Sequence, residues 1–286
     1  MKLNAAQLDA FFAIAKALNF TRAAEQLLVT QSALSQRIAK LEEELETTLF
    51  IRDRSALRLT ETGEQLLRFC QLNSQAEAEL LSRLKNTKDE LAGTLRIGGF
   101  SSVNRSLVIP ALKKVLRENP KLSLHLITKE LRELPQMLKS AEVDYIITNK
   151  ASDTDEIECL PLGTEENVLV QLKKSPPNDI YLDHDETDPT TKAYFSINKI
   201  RFIPENMRYL DDVYGLLDGV KNGLGKAILP LHLIEGEDDL EIIHPQRKLN
   251  VPVYLKFYKQ PFYRKTHSIF VEAIRNHFHA HLRQKR

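Results

Sequence analysis

Residues 20–45 read FTRAAEQLLVTQSALSQRIAKLEEEL, and this stretch limits the fold more than any other part of the chain. Ala23 and Ala24 stand side by side in one helix-forming segment, which Leu27-Leu28-Val29 ends. Thr30 can cap a second helix, whose apolar face is Ala33, Leu34, Ile38, Leu41 and Leu45. Two alanines let another helix approach closely, and a short turn then throws the second helix across the first. That is helix-turn-helix geometry, in which the second helix enters the major groove with its N-terminal turns against base edges. Gln31, Ser32, Ser35 and Gln36 are polar and lie near that end. Gln can pair with adenine, and Ser reaches bases or phosphates. Arg22, Arg37, Arg52, Arg54 and Arg58 are expected near phosphates, where a contact anchors without reading sequence. The four glutamates within residues 42–46 are expected to point away from DNA. Paired amphipathic helices also occur in proteins that bind no nucleic acid. The pattern therefore leaves open a small-molecule-binding α/β protein whose N-terminal helices serve protein assembly.

Residues 3–18 carry Leu8, Phe11, Phe12, Ile14, Ala15 and Leu18 at helical spacing. Thr21 is expected to cap the next helix. Alternation from Leu49 to Thr60 predicts two short strands with a turn near Asp53–Ala56. Residues 60–91 lack proline and predict one long helix whose patchy heptads suit a packed pair better than a regular zipper. Gly93 marks a break, after which strands and helices alternate. The expected strands are 94–98, 123–128, 144–148, 168–172, 179–182, 201–203, 227–229 and 251–258; the expected helices are 103–118, 131–141, 208–222 and 266–284.

A length of 286 residues accommodates two or three domains. No stretch approaches the roughly 18 apolar residues of a membrane span. Asp9 and Lys16 interrupt the apolar N-terminal run, so it reads as a first helix and the protein as cytoplasmic. Cys70 and Cys159 lie far apart without metal-ligand spacing. A net charge of +1 places any electrostatic argument in local patches. Phosphate-binding loops, nucleophile elbows, metalloprotease motifs and dinucleotide fingerprints are absent from the sequence, so neither an enzyme nor a cofactor is expected.

The run Ala23-Ala24-Glu25, Leu27, Gln31-Ser32-Ala33-Leu34-Ser35, Ile38, Leu41-Glu42, Leu49-Phe50, Arg52 and Leu59-Thr60-Glu61-Thr62-Gly63 resembles the N-terminal signature of LysR-type transcriptional regulators. The likeness covers nearly all of residues 8–63. It implies an all-α winged helix-turn-helix, with Gln31, Ser35 and Gln36 facing bases and Arg52 and Arg54 serving the wing. Glu46 stands where the family usually has glycine, which suggests a different end to the second helix, such as one more turn. Gly93-Thr94-Leu95-Arg96-Ile97-Gly98, Ile109-Pro110, Asn119-Pro120, Val143-Asp144 and Gly223-Leu224-Gly225 extend the resemblance. They imply a two-lobed α/β effector domain like a periplasmic binding protein. The implied organisation is a DNA-binding domain over 1–62, a dimerising linker helix over 63–92 and an effector domain over 93–286. Lobe I would take about 93–161 plus 262–286, and lobe II about 162–261. The implied partners are double-stranded DNA, a small-molecule co-inducer or co-repressor, further copies in a homodimer or homotetramer, and RNA polymerase.

Ligands of open α/β folds bind at the carboxyl ends of strands. There the sequence places Ser101 and Ser102 at a helix start able to attract a carboxylate, Thr128 and Glu130 after a second strand, and Thr148 after a third. Capping by Ser101 or Ser102 is the plainer reading of that start. The run from Tyr181 to Asp188 holds four acids and a histidine. It reads as a solvated loop, as a metal site, or as an acidic wall in which Asp183 and Asp185 favour a cationic group. The wall together with the helix start would suit an amino acid. His277, His279 and His281 read as a cationic helix end rather than a metal site.

Overall fold

The computed structural model describes residues 3–52, 56–85, 91–152, 154–176, 179–202, 206–260 and 262–282, with no ligand or partner chain. It divides the chain into two compact units: Met1–Gly93 with Gln136–Val143, and Thr94–Pro135 with Asp144–Arg286. No described helix is long and apolar enough to cross a membrane.

The first unit begins with α1 (Ala5–Ala17), α2 (Phe20–Gln26) and α3 (Gln31–Glu44). Each start is capped by a side chain that accepts a first-turn N–H: Asn4 from Ala6, Asn19 from Arg22 and Thr30 from Ala33. Asn19 caps α2, not Thr21, which lies inside the helix. Ala23 and Ala24 are buried together with Phe11, Ile14, Leu34, Ile38 and Leu41 in a single core. Burying each large member of that set contributes about 1.5–3 kcal/mol. The wing is β1 (Phe50–Arg52) and β2 (Leu57–Leu59), antiparallel with Phe50 opposite Leu59. Its tip, 53–55, lies outside the described residues. The long helix α4 runs Glu61–Lys85; 86–90, the expected remainder, also lie outside them.

The second unit is built on β3 (Gly93–Gly99), β4 (Leu122–Thr128), β5 (Tyr145–Thr148), β6 (Ile157–Leu172), β7 (Tyr181–Asp183), β8 (Met207–Tyr209), β9 (Lys226–Pro230), β10 (Leu240–Ile243) and β11 (Leu249–Tyr258). Their order in the sheet is β4-β3-β5-β11-β6-β9-β7-β8, with β10 also paired to β6. The helices are α5 (Ser101–Val103), α6 (Ile109–Glu118), α7 (Leu134–Lys139), α8 (Thr190–Ile197), α9 (Val213–Lys221), α10 (Leu231–Ile234) and α11 (Lys265–His281). A π-helical stretch, Asn104–Val108, joins α5 to α6. Parallel β3 and β5 are locked by a forked pair: Arg96 donates from Nε (3.2 Å) and from a terminal nitrogen (2.9 Å) to the Asp144 carboxylate.

Long antiparallel β6 and β11 cross between separate cores. Leu162 and Val253 pack with Ile97, Leu107 and Phe270. Farther along β6, Val168 and Val170 join Leu216 and Leu229, while Leu169 faces Tyr194 and Phe195. That alternation is the two-residue period of a strand buried on both faces.

The structure departs from expectation in several elements. The expected strand 168–172 is the end of a strand that begins at Ile157, and β10 was not anticipated. Residues 201–202 are not strand, and 203 is outside the described residues. The strand in that region is β8, at the head of the expected helix 208–222, which begins only at Val213.

Candidate DNA-contacting helix and ligand cavity

The first turn of α3 presents Gln31 and Ser32 to solvent, with Gln36 also exposed and Ser35 and Arg37 half-buried. Thr30 Oγ1 lies 3.1 Å from Ser32 Oγ and accepts the Ala33 N–H at 3.2 Å, which orients that turn. Buried Leu34, Ile38 and Leu41 fix the opposite face. Arg22 is exposed in the first turn of α2, and Arg58 is exposed on β2. The Arg52 side chain and all of Arg54 lie outside the described residues. Glu42 departs from the expected outward orientation: its Oε1 accepts the Leu49 N–H at 2.7 Å and the Phe50 N–H at 3.3 Å, tying α3 to the wing.

In the second unit a cavity of about 380 Å³ opens at strand ends, a usual size for a small-molecule site. Ser101 and Ser102 line it where β3 passes into α5, and Thr128 and Glu130 line it after β4. Neither serine caps the helix; the N-cap is Phe100, without a side-chain bond. The first-turn N–H groups thus receive no side-chain cap from Phe100. Asn104 organises this corner. Its amide donates to the Gly99 carbonyl (3.1 Å), the Ile127 carbonyl (3.2 Å) and Thr128 Oγ1 (3.0 Å). A Cβ on Gly99 would come within 2.3 Å of Asn104 Oδ1, so glycine is needed there.

Asp183 lines the cavity from β7 and accepts the His184 N–H at 3.1 Å. Burial raises its carboxyl pKa above the ordinary value. Asp185 does not line the cavity. It is exposed and accepts from the Thr187 N–H and hydroxyl, both at 2.6 Å, in a local turn that lowers its pKa. Thr148 does not line it either; it is buried within β5 opposite Tyr254, and Asn149 lines the cavity in its place. The acidic run thus divides, with Asp183 and Asp188 toward the cavity and Asp185 and Glu186 toward water.

Sequence reasoning missed Glu133, Glu165, Asp211 and Asp212, which join Glu130, Asp183 and Asp188 to make seven described carboxylates in the lining. Asp212 carried a local signal as the N-cap of α9, accepting from Tyr214 at 3.2 Å. Lys129 is the one lysine of that lining, and it pairs with Glu133 at 3.6 Å. Such a wall favours a cation over a second anion. No group of three or more His, Cys, Asp and Glu among the described residues is placed to hold a metal ion. His277 and His281 stack on α11 at 4.1 Å between centroids, and burial lowers the pKa of His277.

A winged helix-turn-helix followed by a cavity-bearing α/β unit defines a two-part class, a DNA-reading fold joined to a ligand-binding fold. Residues 5–64 match the bacterial regulatory helix-turn-helix protein model of the lysR family, and residues 88–279 match the LysR substrate binding domain. The chain belongs to the LysR family. It is 30% identical over 197 residues to the HTH-type transcriptional regulator YcgK of Bacillus subtilis, covering 67% of this chain and 61% of that protein. It is 33% identical over 160 residues to HdfR of Yersinia pestis, covering 54% of this chain and 53% of the relative. The matched stretch thus spans between half and two thirds of these relatives. In fold it is similar to ArgP from Mycobacterium tuberculosis, with a TM-score of 0.81, 19% identity and coverage of 99% and 100% of the two chains. It is also similar to full-length LysG from Corynebacterium glutamicum with bound effector Arg, with a TM-score of 0.79, 18% identity and coverage of 98% and 100%.

Proposed function

We propose that this chain is a sequence-specific transcriptional regulator whose second unit binds a small cationic effector of the amino-acid class. Family membership and the exposed polar start of α3 support the DNA-binding half. The observation that carries the effector reading is the cavity: seven carboxylates, with the uncapped helix start at Ser101 and Ser102 beside them. A ligand with ammonium groups and one carboxylate matches both features. The bound Arg in the LysG structure lends support by likeness of fold.

In this reading the protein acts in the cytoplasm as a homodimer or homotetramer. Two copies of α3 occupy successive major-groove turns of an interrupted palindrome. The effector changes DNA binding only to the extent that it binds one arrangement of the protein better than another.

Two measurements test the halves separately. In a mobility-shift titration against operator and random DNA, Gln31→Ala is expected to cost about 1–3 kcal/mol on the operator and relax base choice. Arg22→Ala should weaken both targets alike. Equal losses on both targets in Gln31→Ala would remove that residue from base reading, and absence of any DNA binding would leave the assembly role. In calorimetry, L-arginine should bind wild type, and Asp183→Asn should weaken it. Undiminished affinity in that variant would sink the acidic-wall reading.

A further inference from the structure

Three residues that the sequence did not single out meet behind the cavity wall. Ser106 lies on the π-helical stretch, between Val103 and Leu107 of one core. His232 lies on α10 beside Leu233 and Ile234 of another core. Glu165 stands on β6 between Leu162 of the first core and Val168 of the second, and it lines the cavity. His232 and Glu165 have side chains only 4% and 6% exposed.

Hydrogen-bond accounting orders the three groups. The Ser106 hydroxyl sits between the Ser102 carbonyl, to which it can donate, and His232 Nδ1 at 2.8 Å, with which it shares a hydrogen bond. His232 Nε2 then faces Glu165 Oε1 at 2.8 Å. One hydrogen shared between the ring and the carboxylate joins them at that distance. Beside this chain the Arg105 guanidinium lies 3.4 Å from the centroid of the Tyr214 ring, so the π-helical stretch also meets α9. π-helical turns recur at functional sites because they re-aim side chains that a regular helix would place elsewhere.

We infer that Ser106, His232 and Glu165 form a relay that couples occupation of the cavity to the joint between the two cores. The inference rests on the cavity being the site of a cationic ligand. Glu165 is shared: Oε1 holds His232, Oε2 accepts from Asn167 at 3.4 Å, and the residue lines the cavity. A cation in the cavity competes for that carboxylate and loosens its hold on His232, which loosens the contact with Ser106. Glu165 is thereby a specificity residue, and His232 and Ser106 are positioning residues that act through it.

Hydrogen exchange read by mass spectrometry on the full chain tests the relay without a ligand. Ser106→Ala should speed exchange about tenfold both in 101–108 and in 231–234, although the substitution lies in only one of them. Ser106→Thr keeps the hydroxyl and should restore the wild-type pattern. Acceleration confined to 101–108, or no rescue by threonine, overturns the joint. L-arginine then serves as the cationic probe. It should raise exchange at 231–234 in wild type, while Glu165→Gln should bind it at least about tenfold more weakly and show no such response. Unchanged affinity and response in Glu165→Gln overturn the link to the cavity. If wild type takes up no L-arginine, the cationic-ligand reading fails together with the link, while the Ser106→Ala result still decides the joint.

Discussion

At the scale of single residues, Glu46 shows how a backbone position can outweigh side-chain preference. Its φ of 51° is left-handed, a region that suits glycine. α3 therefore gains no extra turn. The Glu46 N–H reaches the Glu43 carbonyl at 3.1 Å, and the Thr47 N–H reaches Glu42 at 3.0 Å, closing the helix end. Glu46→Gly should stabilise the protein by about 1 kcal/mol, visible as a higher denaturant midpoint with unchanged slope. A midpoint at or below wild type would show the left-handed strain to be relieved elsewhere. His267 makes a second case. Burial lowers its pKa from 6.5 to about 4, and burial also raises that of Tyr145, whose hydroxyl shares a hydrogen bond with Nδ1 at 2.9 Å. As pH falls from 6.5 toward about 4, the unfolded chain takes up a proton here and the folded one does not. Stability must fall across that window. His267→Gln should flatten this part of the melting-temperature profile; an unchanged profile would assign the acid sensitivity to other groups.

At the scale of elements, the start of α4 explains a motif that the sequence displays without its reason. Thr60 Oγ1 donates to the Thr48 carbonyl at 2.7 Å and accepts the Gly63 N–H at 2.9 Å. A Cβ on Gly63 would meet the Leu49 carbonyl oxygen at 2.3 Å. Gly63→Ala should therefore cost about 1–3 kcal/mol in thermal or denaturant melts, although alanine is the better helix former. A neutral result would show that α4 can shift away from the wing. Elsewhere tertiary contacts outweigh local preference. Proline and glycine weaken strands, yet Pro161 and Gly163 both sit inside β6, where β11 supplies a long partner and a register shift between Val253 and Tyr254 absorbs the irregularity. α8, sequence TTKAYFSI, has β-branched and aromatic residues that favour strands, and buried Tyr194 and Phe195 hold it as a helix. These are tertiary contacts overriding weak local preference.

At the scale of the molecule, the cavity joins residues from β3 through β11. A ligand there binds the folded chain and not the unfolded one. L-arginine at a hundred times its dissociation constant should therefore stabilise by about 2.7 kcal/mol, measured as a rise in melting temperature. No rise at any concentration would exclude arginine as a ligand of the cavity. Hydrophobic period, caps and small residues are local, so the sequence by itself determined the helix-turn-helix, the wing and the change to alternating strands and helices after Gly93. It also placed Ser101, Ser102, Thr128, Glu130 and Asp183 at strand ends, because those ends follow from the strands themselves. Which acids face inward was decided only by the tertiary structure. Asp183 and Asp185 lie two residues apart, yet the first is held in β7 at the cavity and the second folds into its own turn. The meeting of Ser106, His232 and Glu165 is likewise a product of packing, since contacts across 126 and 67 residues leave no trace in local spacing.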